Sequence, residues 1–170
     1  MRSAANGAGW SSPPPAGNVR GIAIGAAFNS IVAQVVEIAK SGRTGFKVKK
    51  VTVAIDCYLA VNPGSVEAQI IGGVVHAMNA TLYGRQTFAK GAAKVKNFSS
   101  SRMIRISEMP TVKVLIMPPP AAAERSVAIG GVGELGVPTF APALVNAYFR
   151  LSGRRVRALP FYPNAKMGDG

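Results

Sequence analysis

The chain has 170 residues, a formal net charge of +13 and a hydrophobic fraction of 48%. The length allows one domain with a sizeable core, and the hydrophobic fraction excludes a disordered polycation. No run reaches the ~18 apolar residues of a membrane-spanning helix, so we predict no membrane span. Cys57 is the only cysteine, which excludes an intrachain disulfide and a metal site built from several cysteines.

The basic residues form two clusters along the chain. One runs from Lys40 to Lys50 and the other from Arg150 to Arg157. The positive electrostatic potential around such clusters favours polyanions or an acidic protein as partners. Aromatic residues make up only 7% of the chain and are not interleaved with the basic ones, as they are in single-strand binding proteins. We therefore do not expect nucleic-acid binding, and interpret the clusters as solvated faces with some docking surface.

Three consecutive strands are predicted near the start of the chain. Gly21–Phe28 looks like a short strand, and residues 31–40 fit either a helix or a buried strand. The turn-forming SGRTG after residue 40 favours the strand. In the third strand, residues 46–55, the apolar alternation slips by one residue at Lys49 and Lys50. The slip predicts a β-bulge or a strong twist.

The segment NPGSVEAQIIGGVVHAMNATLYG is predicted to form a helix, with Asn62 as N-cap and Pro63 in the first turn. Its core-facing stripe repeats every four residues: Ile70, Val74, Met78 and Leu82. The opposite stripe consists of Gln69, Gly72, Gly73 and His76. Two glycines inside a helix cost about 1 kcal/mol each relative to alanine. We therefore expect a close approach on that face, either by another backbone or by a flat ligand beside Gln69.

The remaining segments complete the predicted order of elements. Residues 83–98 suggest a hairpin around AKGAAK, and Thr111–Met117 a strand. Pro118–Glu124 is a proline-rich connector that cannot pair inside a sheet. The segment APALVNAYFRLSG predicts a second long helix, with Pro142 in its first turn and Gly153 at its C-terminal cap.

The glycine loop, Gly130–Gly136 (GGVGELG), carries a carboxylate, Glu134, in a chain with only seven acidic residues. That carboxylate is either a solvated side chain or a base directed into a pocket by a flexible backbone. The loop matches neither a dinucleotide-binding fingerprint nor a phosphate-binding loop. His76 and Cys57 are interpreted as structural residues, because no second ligand or activating partner is evident for either.

Three blocks carry a family resemblance. The segment GGVGELGVPTFAPALVNAYFRLSGRRVRALPF closely resembles the C-terminal signature of the large, molybdenum-binding subunit of the xanthine dehydrogenase and aldehyde oxidase family, isoquinoline 1-oxidoreductase type. The segments VAIDCYLAVNPGSVEAQIIGGVVHAMNATLYG and NFSSSRMIRISEMPTVKVLIM resemble two earlier blocks of that subunit. The blocks occur in the family's order between about Trp10 and Phe161, which is far more specific than one glycine motif.

The resemblance implies an α+β domain with mixed, mostly antiparallel sheets and two main helices. It also implies that Glu134 is the catalytic base, which takes a proton from a metal-bound hydroxyl during hydroxylation of an N-heteroaromatic or aldehyde substrate. No protein side chain is then expected to coordinate molybdenum. The residues expected to bind the molybdopterin, in its cytosine dinucleotide form, are Gln69, Gly72, Gly73, Gly131, Val132, Gly133 and Gly136.

The family's molybdenum subunit is several times longer than this chain. We therefore predict a flexible lead-in at residues 1–19, an incomplete molybdopterin-binding C-terminal domain at 20–161, and a flexible tail at 162–170. The expected partners are the remaining part of the molybdenum subunit, a small subunit with the iron–sulfur clusters, and the substrate; a homo-oligomer is possible. The sequence does not determine the compartment: the cytoplasm is the default expectation, and the periplasm is expected if the missing part carries an export signal. The alternative is a non-catalytic basic module of the same fold that docks an acidic protein or a polyanion.

Overall fold

The computed structural model describes residues 1–42, 45–119 and 128–162. Three α-helices and six strands are described in these ranges. In chain order they are α1 (Arg2–Gly7), β1 (Asn18–Ala27), β2 (Ser30–Ser41), β3 (Gly45–Asp56), α2 (Pro63–Leu82), β4 (Phe88–Ala89), β5 (Ala92–Ala93), β6 (Thr111–Ile116) and α3 (Phe140–Ser152). None of the described helices has the length and apolar content needed to cross a membrane.

The main sheet has four strands in the order β1-β2-β3-β6. The β1–β2 and β2–β3 pairs are antiparallel, whereas β6 runs parallel to β3. The predicted mixed, mostly antiparallel α+β fold is therefore confirmed. The bulge is confirmed too, because Glu37 pairs with Lys50 and Ile38 with Val48, which leaves Lys49 as the extra residue. The slip keeps both apolar sets of β3 on one face.

Helices α2 and α3 cover one face of this sheet and enclose the main core. Asn62 caps α2, since its side chain accepts a hydrogen bond from the Ser65 amide at 3.0 Å. All four residues of the predicted α2 stripe are buried. Helix α3 lies close against β1, where a Cβ added to Gly21 would sit 2.1 Å from the Ala143 carbonyl oxygen. The helix ends at Gly153, whose left-handed φ of 70° gives the predicted cap.

The N-terminal segment differs from the prediction, because part of the expected flexible lead-in is helical. Helix α1 lies against the other face of the sheet, and Ala4 is completely buried there. Trp10 packs on the same small cluster, and the Arg20 guanidinium donates to the Gly9 carbonyl at 2.7 Å. The segment is too short and too rich in alanine to show a periodic hydrophobic pattern, so the sequence does not predict this helix. Tertiary contacts stabilise it. Residues 163–170 of the predicted tail, and 120–124 of the connector, lie outside the described residues.

A partly buried polar network fixes the C-terminal end of α2. The Tyr83 hydroxyl donates to Glu108 at 2.7 Å, and the buried Arg102 donates to the same carboxylate at 2.8 Å. The guanidinium also stacks on the Tyr83 ring, 4.3 Å from its centroid. Burial opposes ionisation of Glu108, but hydrogen bonds from Tyr83, the Arg105 amide and Arg102 lower the pKa of this carboxyl below its ordinary value.

We expect Glu108→Ala to destabilise the chain by about 1–3 kcal/mol at neutral pH, because it leaves Arg102 buried without its carboxylate. A carboxyl with a lowered pKa stabilises fully above its ordinary pKa and loses that contribution as the pH falls through the lowered one. Urea unfolding at neutral and acidic pH should therefore show the difference from the wild type shrinking in acid. Glu67→Ala is the control, because it removes an exposed carboxylate that forms no ion pair with a described residue.

Candidate functional site

The glycine loop is held by the ends of the antiparallel strands. The Gly130 amide donates to the Cys57 carbonyl at 3.0 Å, and the Gly131 amide to the Phe28 carbonyl at 2.8 Å. Two side chains of β2 hold its carbonyls: Ser30 donates to Gly131 and Gln34 donates to Gly136. The loop thus lies across the end of the sheet that carries the β1–β2 turn.

Helix α2 meets the glycine loop backbone to backbone. Gly73 is buried, and a Cβ added to it would lie 2.9 Å from the Gly136 Cα. A Cβ on Gly136 would lie 2.5 Å from the Ile70 carbonyl oxygen. Of the two interpretations of the glycine pair, close approach by another backbone therefore holds at Gly73. Gly72 differs, because a Cβ there would meet nothing within 4 Å.

A cavity of about 650 Å³ lies between α2, the glycine loop and the β1–β2 turn. It brings together most of the side chains and glycines predicted from the sequence, including the stripe of α2. Those lining it are Gln69, Gly72, Gly73, His76, Gly133 and Glu134. Gly131, Val132 and Gly136 belong to the same loop but do not line the cavity. The predicted residues therefore meet in one place, although they lie far apart in the chain.

Glu134 presents an exposed carboxylate to this cavity and forms no ion pair with any described residue. Leu135, the next residue, is 1% exposed and fixes the loop to the core. The carboxylate is thus accessible on an anchored backbone, which is the arrangement a proton acceptor requires.

The loop amides differ in what they offer to a ligand. Gly131 donates its amide to Phe28, so this predicted ligand-binding amide is already engaged within the protein. The amides of Val132, Gly133 and Glu134 have no partner among the described residues. Successive free amides of this kind bind anionic oxygens.

The other candidates among the described residues show no reactive arrangement. Cys57 is buried, and that burial raises the pKa of its thiol. His76 is exposed on the cavity wall. Within residues 1–42, 45–119 and 128–162, no three His, Cys, Asp or Glu side chains gather as a metal site.

Sequence reasoning missed two residues of β2 and one of the β1–β2 turn that shape the site. Ser30 and Gln34 hold the loop carbonyls, and Gln34 is completely buried with its Oε1 lacking a partner in the described structure. A glutamine inside the apolar run IVAQVVEI was the available signal. Phe28 lines the cavity from the β1–β2 turn and is 61% exposed.

The chain matches a protein-family model and several known proteins. A family model described as a molybdopterin cofactor-binding domain matches residues 12–110. The chain is 32% identical over 148 residues to the beta subunit of an isoquinoline 1-oxidoreductase from Brevundimonas diminuta, covering 84% of this chain and 18% of that protein. It is 29% identical over 129 residues to a nicotinate dehydrogenase subunit from Pseudomonas putida, covering 75% of this chain and 10% of the relative. The chain thus spans less than a fifth of either relative.

Among solved structures, quinoline 2-oxidoreductase from Pseudomonas putida 86 superposes with a TM-score of 0.65. The match covers 77% of this chain and 17% of that one, at 19% sequence identity. At this identity the likeness shows the shared fold, which agrees with the mixed sheet and long helices described above.

Proposed function

Because the chain belongs to the molybdopterin cofactor-binding domain family, we propose that it completes the active site of a molybdenum hydroxylase and supplies the catalytic base, Glu134. The observation that carries the proposal is the cavity in which Gln69, Gly72 and Glu134 meet. A carboxylate, a side-chain amide and an open glycine face together provide a base beside a binding surface.

The residues present fit a molybdopterin group in two respects. Gly72 leaves open space along α2, so a flat ring system can lie against the helix backbone beside the Gln69 amide. The amides of Gly133 and Glu134, which have no partner among the described residues and belong to the cavity lining, provide donors for anionic oxygens. Gly73 and Gly136 contribute indirectly, since their contact holds the loop against α2. When bound, the cofactor supplies the oxygen transfer and the electron acceptance that hydroxylation requires.

The chain's own part in the reaction is proton transfer and positioning. The Glu134 carboxylate accepts a proton in the reaction, and a positioned base of this type contributes about 10²–10⁴-fold to rate. The buried Leu135 and the hydrogen bond from Gln34 to Gly136 keep that carboxylate in place. The amides and Gln69 orient the group on which the substrate reacts.

The substrate class and the partners follow from the same proposal. Relatives are named for isoquinoline and nicotinate, which supports an N-heteroaromatic substrate, with an aldehyde as the other class. We propose the cytosine dinucleotide form of the cofactor and iron–sulfur clusters on a small partner subunit. The rest of the molybdenum subunit comes from residues outside this chain.

We expect the isolated chain to carry no stoichiometric molybdenum and to turn over no substrate, because its cavity is open and its lining residues are largely exposed. Plasma mass spectrometry of the purified chain measures the metal, and reduction of a redox dye with isoquinoline or an aldehyde measures turnover. One molybdenum per chain with dye reduction by this chain alone would contradict the expectation of an incomplete site. No molybdenum in the assembled complex would contradict the proposed function itself.

A further inference from the structure

Five exposed apolar side chains lie on the three segments that meet at the glycine loop. These segments are the β1–β2 turn with the first residues of β2, the stretch between β3 and α2, and the residues just before the loop. We call this surface the apolar rim, and it consists of Phe28, Ile31, Leu59, Val61 and Ile129. Their exposed fractions range from 42% for Leu59 to 79% for Val61.

Backbone hydrogen bonds join the three segments of the apolar rim. Cys57 accepts from the Gly130 amide at 3.0 Å and from the Leu59 amide at 2.9 Å. Phe28 accepts from the Gly131 amide, and Ile31 pairs with Asp56 at the end of β3. The rim therefore adjoins the anchored base of the loop that carries Glu134.

The backbone at the rim is held in an unusual conformation. Phe28 and Asn29 have left-handed φ angles of 52° and 57°, and Tyr58 has a φ of 68°. A two-residue hairpin turn with two positive φ angles favours Asn-Gly, so a phenylalanine at its first position is strained. The turn leaves this aromatic residue 61% exposed, so most of its apolar surface stays in water. A strained turn that exposes an aromatic ring indicates a surface used in a contact.

The described charged side chains on the segments that carry the rim are acidic, in contrast to the +13 charge of the whole chain. Within the described part of the chain, Glu37 and Glu108 pair with arginines, whereas Asp56 and Glu134 form no ion pair. These two carboxylates lie at the end of β3 and in the glycine loop. A polyanion is therefore disfavoured here, and a partner with apolar and basic groups fits.

We propose that the apolar rim docks the part of a molybdenum subunit that this chain lacks. The proposal rests on the proposed function, and it names the surface where the two parts join. The Brevundimonas diminuta relative is more than five times longer than the region matched to this chain, so most of such a subunit lies in other residues. The cavity is open at Gln69, Gly72, Gly133 and Glu134, and the rim extends its wall. The missing part closes the cavity by resting on the rim.

Binding to a defined partner tests the proposal without any cofactor. The partner is the Brevundimonas diminuta relative with the 148-residue region that matches this chain deleted. The dissociation constant is measured by calorimetry for the wild type, Val61→Asp and Ile129→Asp. Phe88→Asp is the matched control, because Phe88 is 72% exposed on the separate β4–β5 hairpin. Thermal melts verify that each variant folds.

We expect each rim variant to weaken binding at least about tenfold, since a charge in the apolar centre of an interface is poorly tolerated, with the control unchanged. No binding by the wild type, equal binding by the rim variants, or an equal loss in Phe88→Asp would overturn the proposal. Self-association abolished by the rim variants would assign the surface to a second copy and also overturn it. Molybdenum analysis separates the two proposals: rim-dependent assembly without metal contradicts only the proposed function, and metal uptake with rim-independent assembly contradicts only the docking surface.

Discussion

Glu134→Gln should lower the turnover of an assembled enzyme by about 10²–10⁴-fold while leaving folding and molybdenum content intact. The substitution keeps the shape of the side chain and removes its ability to accept a proton. Because the carboxylate is exposed and unpaired among the described residues, its loss disturbs no structural contact. Steady-state rates with metal content measured on the same samples test this directly.

Glu67→Gln is the matched control. It neutralises an exposed carboxylate that lies on α2 and does not line the cavity. The control should retain the wild-type rate. Near-normal turnover with full molybdenum occupancy would show that Glu134 is not the base, and the proposed function would lose its main support.

The elements and the core stripes were predictable because they depend on local patterns. The one-residue slip in β3 and the four-residue repeat of α2 each predicted a structural feature that the fold confirms. Helix α1 was not predictable, since its stability comes from a sheet face formed by residues much later in the chain.

The site was only partly predictable for the same reason. The stripe on α2 and the glycine loop could be singled out from unusual glycines and an unusual carboxylate. The hydrogen bonds that join them to β2 connect residues about a hundred positions apart, such as Gln34 and Gly136. No local pattern carries that pairing, so the role of Ser30 and Gln34 required the structure. The sequence likewise left open whether another backbone or a flat ligand approaches the glycine pair of α2. Both explanations require glycine at the same two positions.

The two neighbouring glycines of α2 should respond in opposite directions to the same substitution. Gly73→Ala adds a methyl group 2.9 Å from the Gly136 Cα, a contact that only backbone movement can relieve. Overpacking of this kind costs about 1–3 kcal/mol. Gly72→Ala adds the same group in open space and should stabilise the helix by about 0.5–1 kcal/mol. Urea unfolding of the two variants and the wild type measures both changes, and each variant serves as the composition-matched control for the other.

Leucine substitutions at Gly72 and Gly73 distinguish a glycine needed for packing from a glycine needed for ligand binding. A side chain at position 72 would meet no described neighbour. Glycine there therefore lowers the stability of the helix, and no packing contact in the described fold requires it. A ligand lying against α2 would supply the reason. Gly72→Leu should therefore fold at least as stably as the wild type but fill part of the cavity and reduce molybdenum uptake in the assembled complex. Gly73→Leu should instead prevent stable folding, because its side chain meets the glycine loop rather than the cavity. Normal metal content in Gly72→Leu would show that no ligand uses this face, and a fully stable Gly73→Ala would show that α2 and the loop do not meet at Gly136.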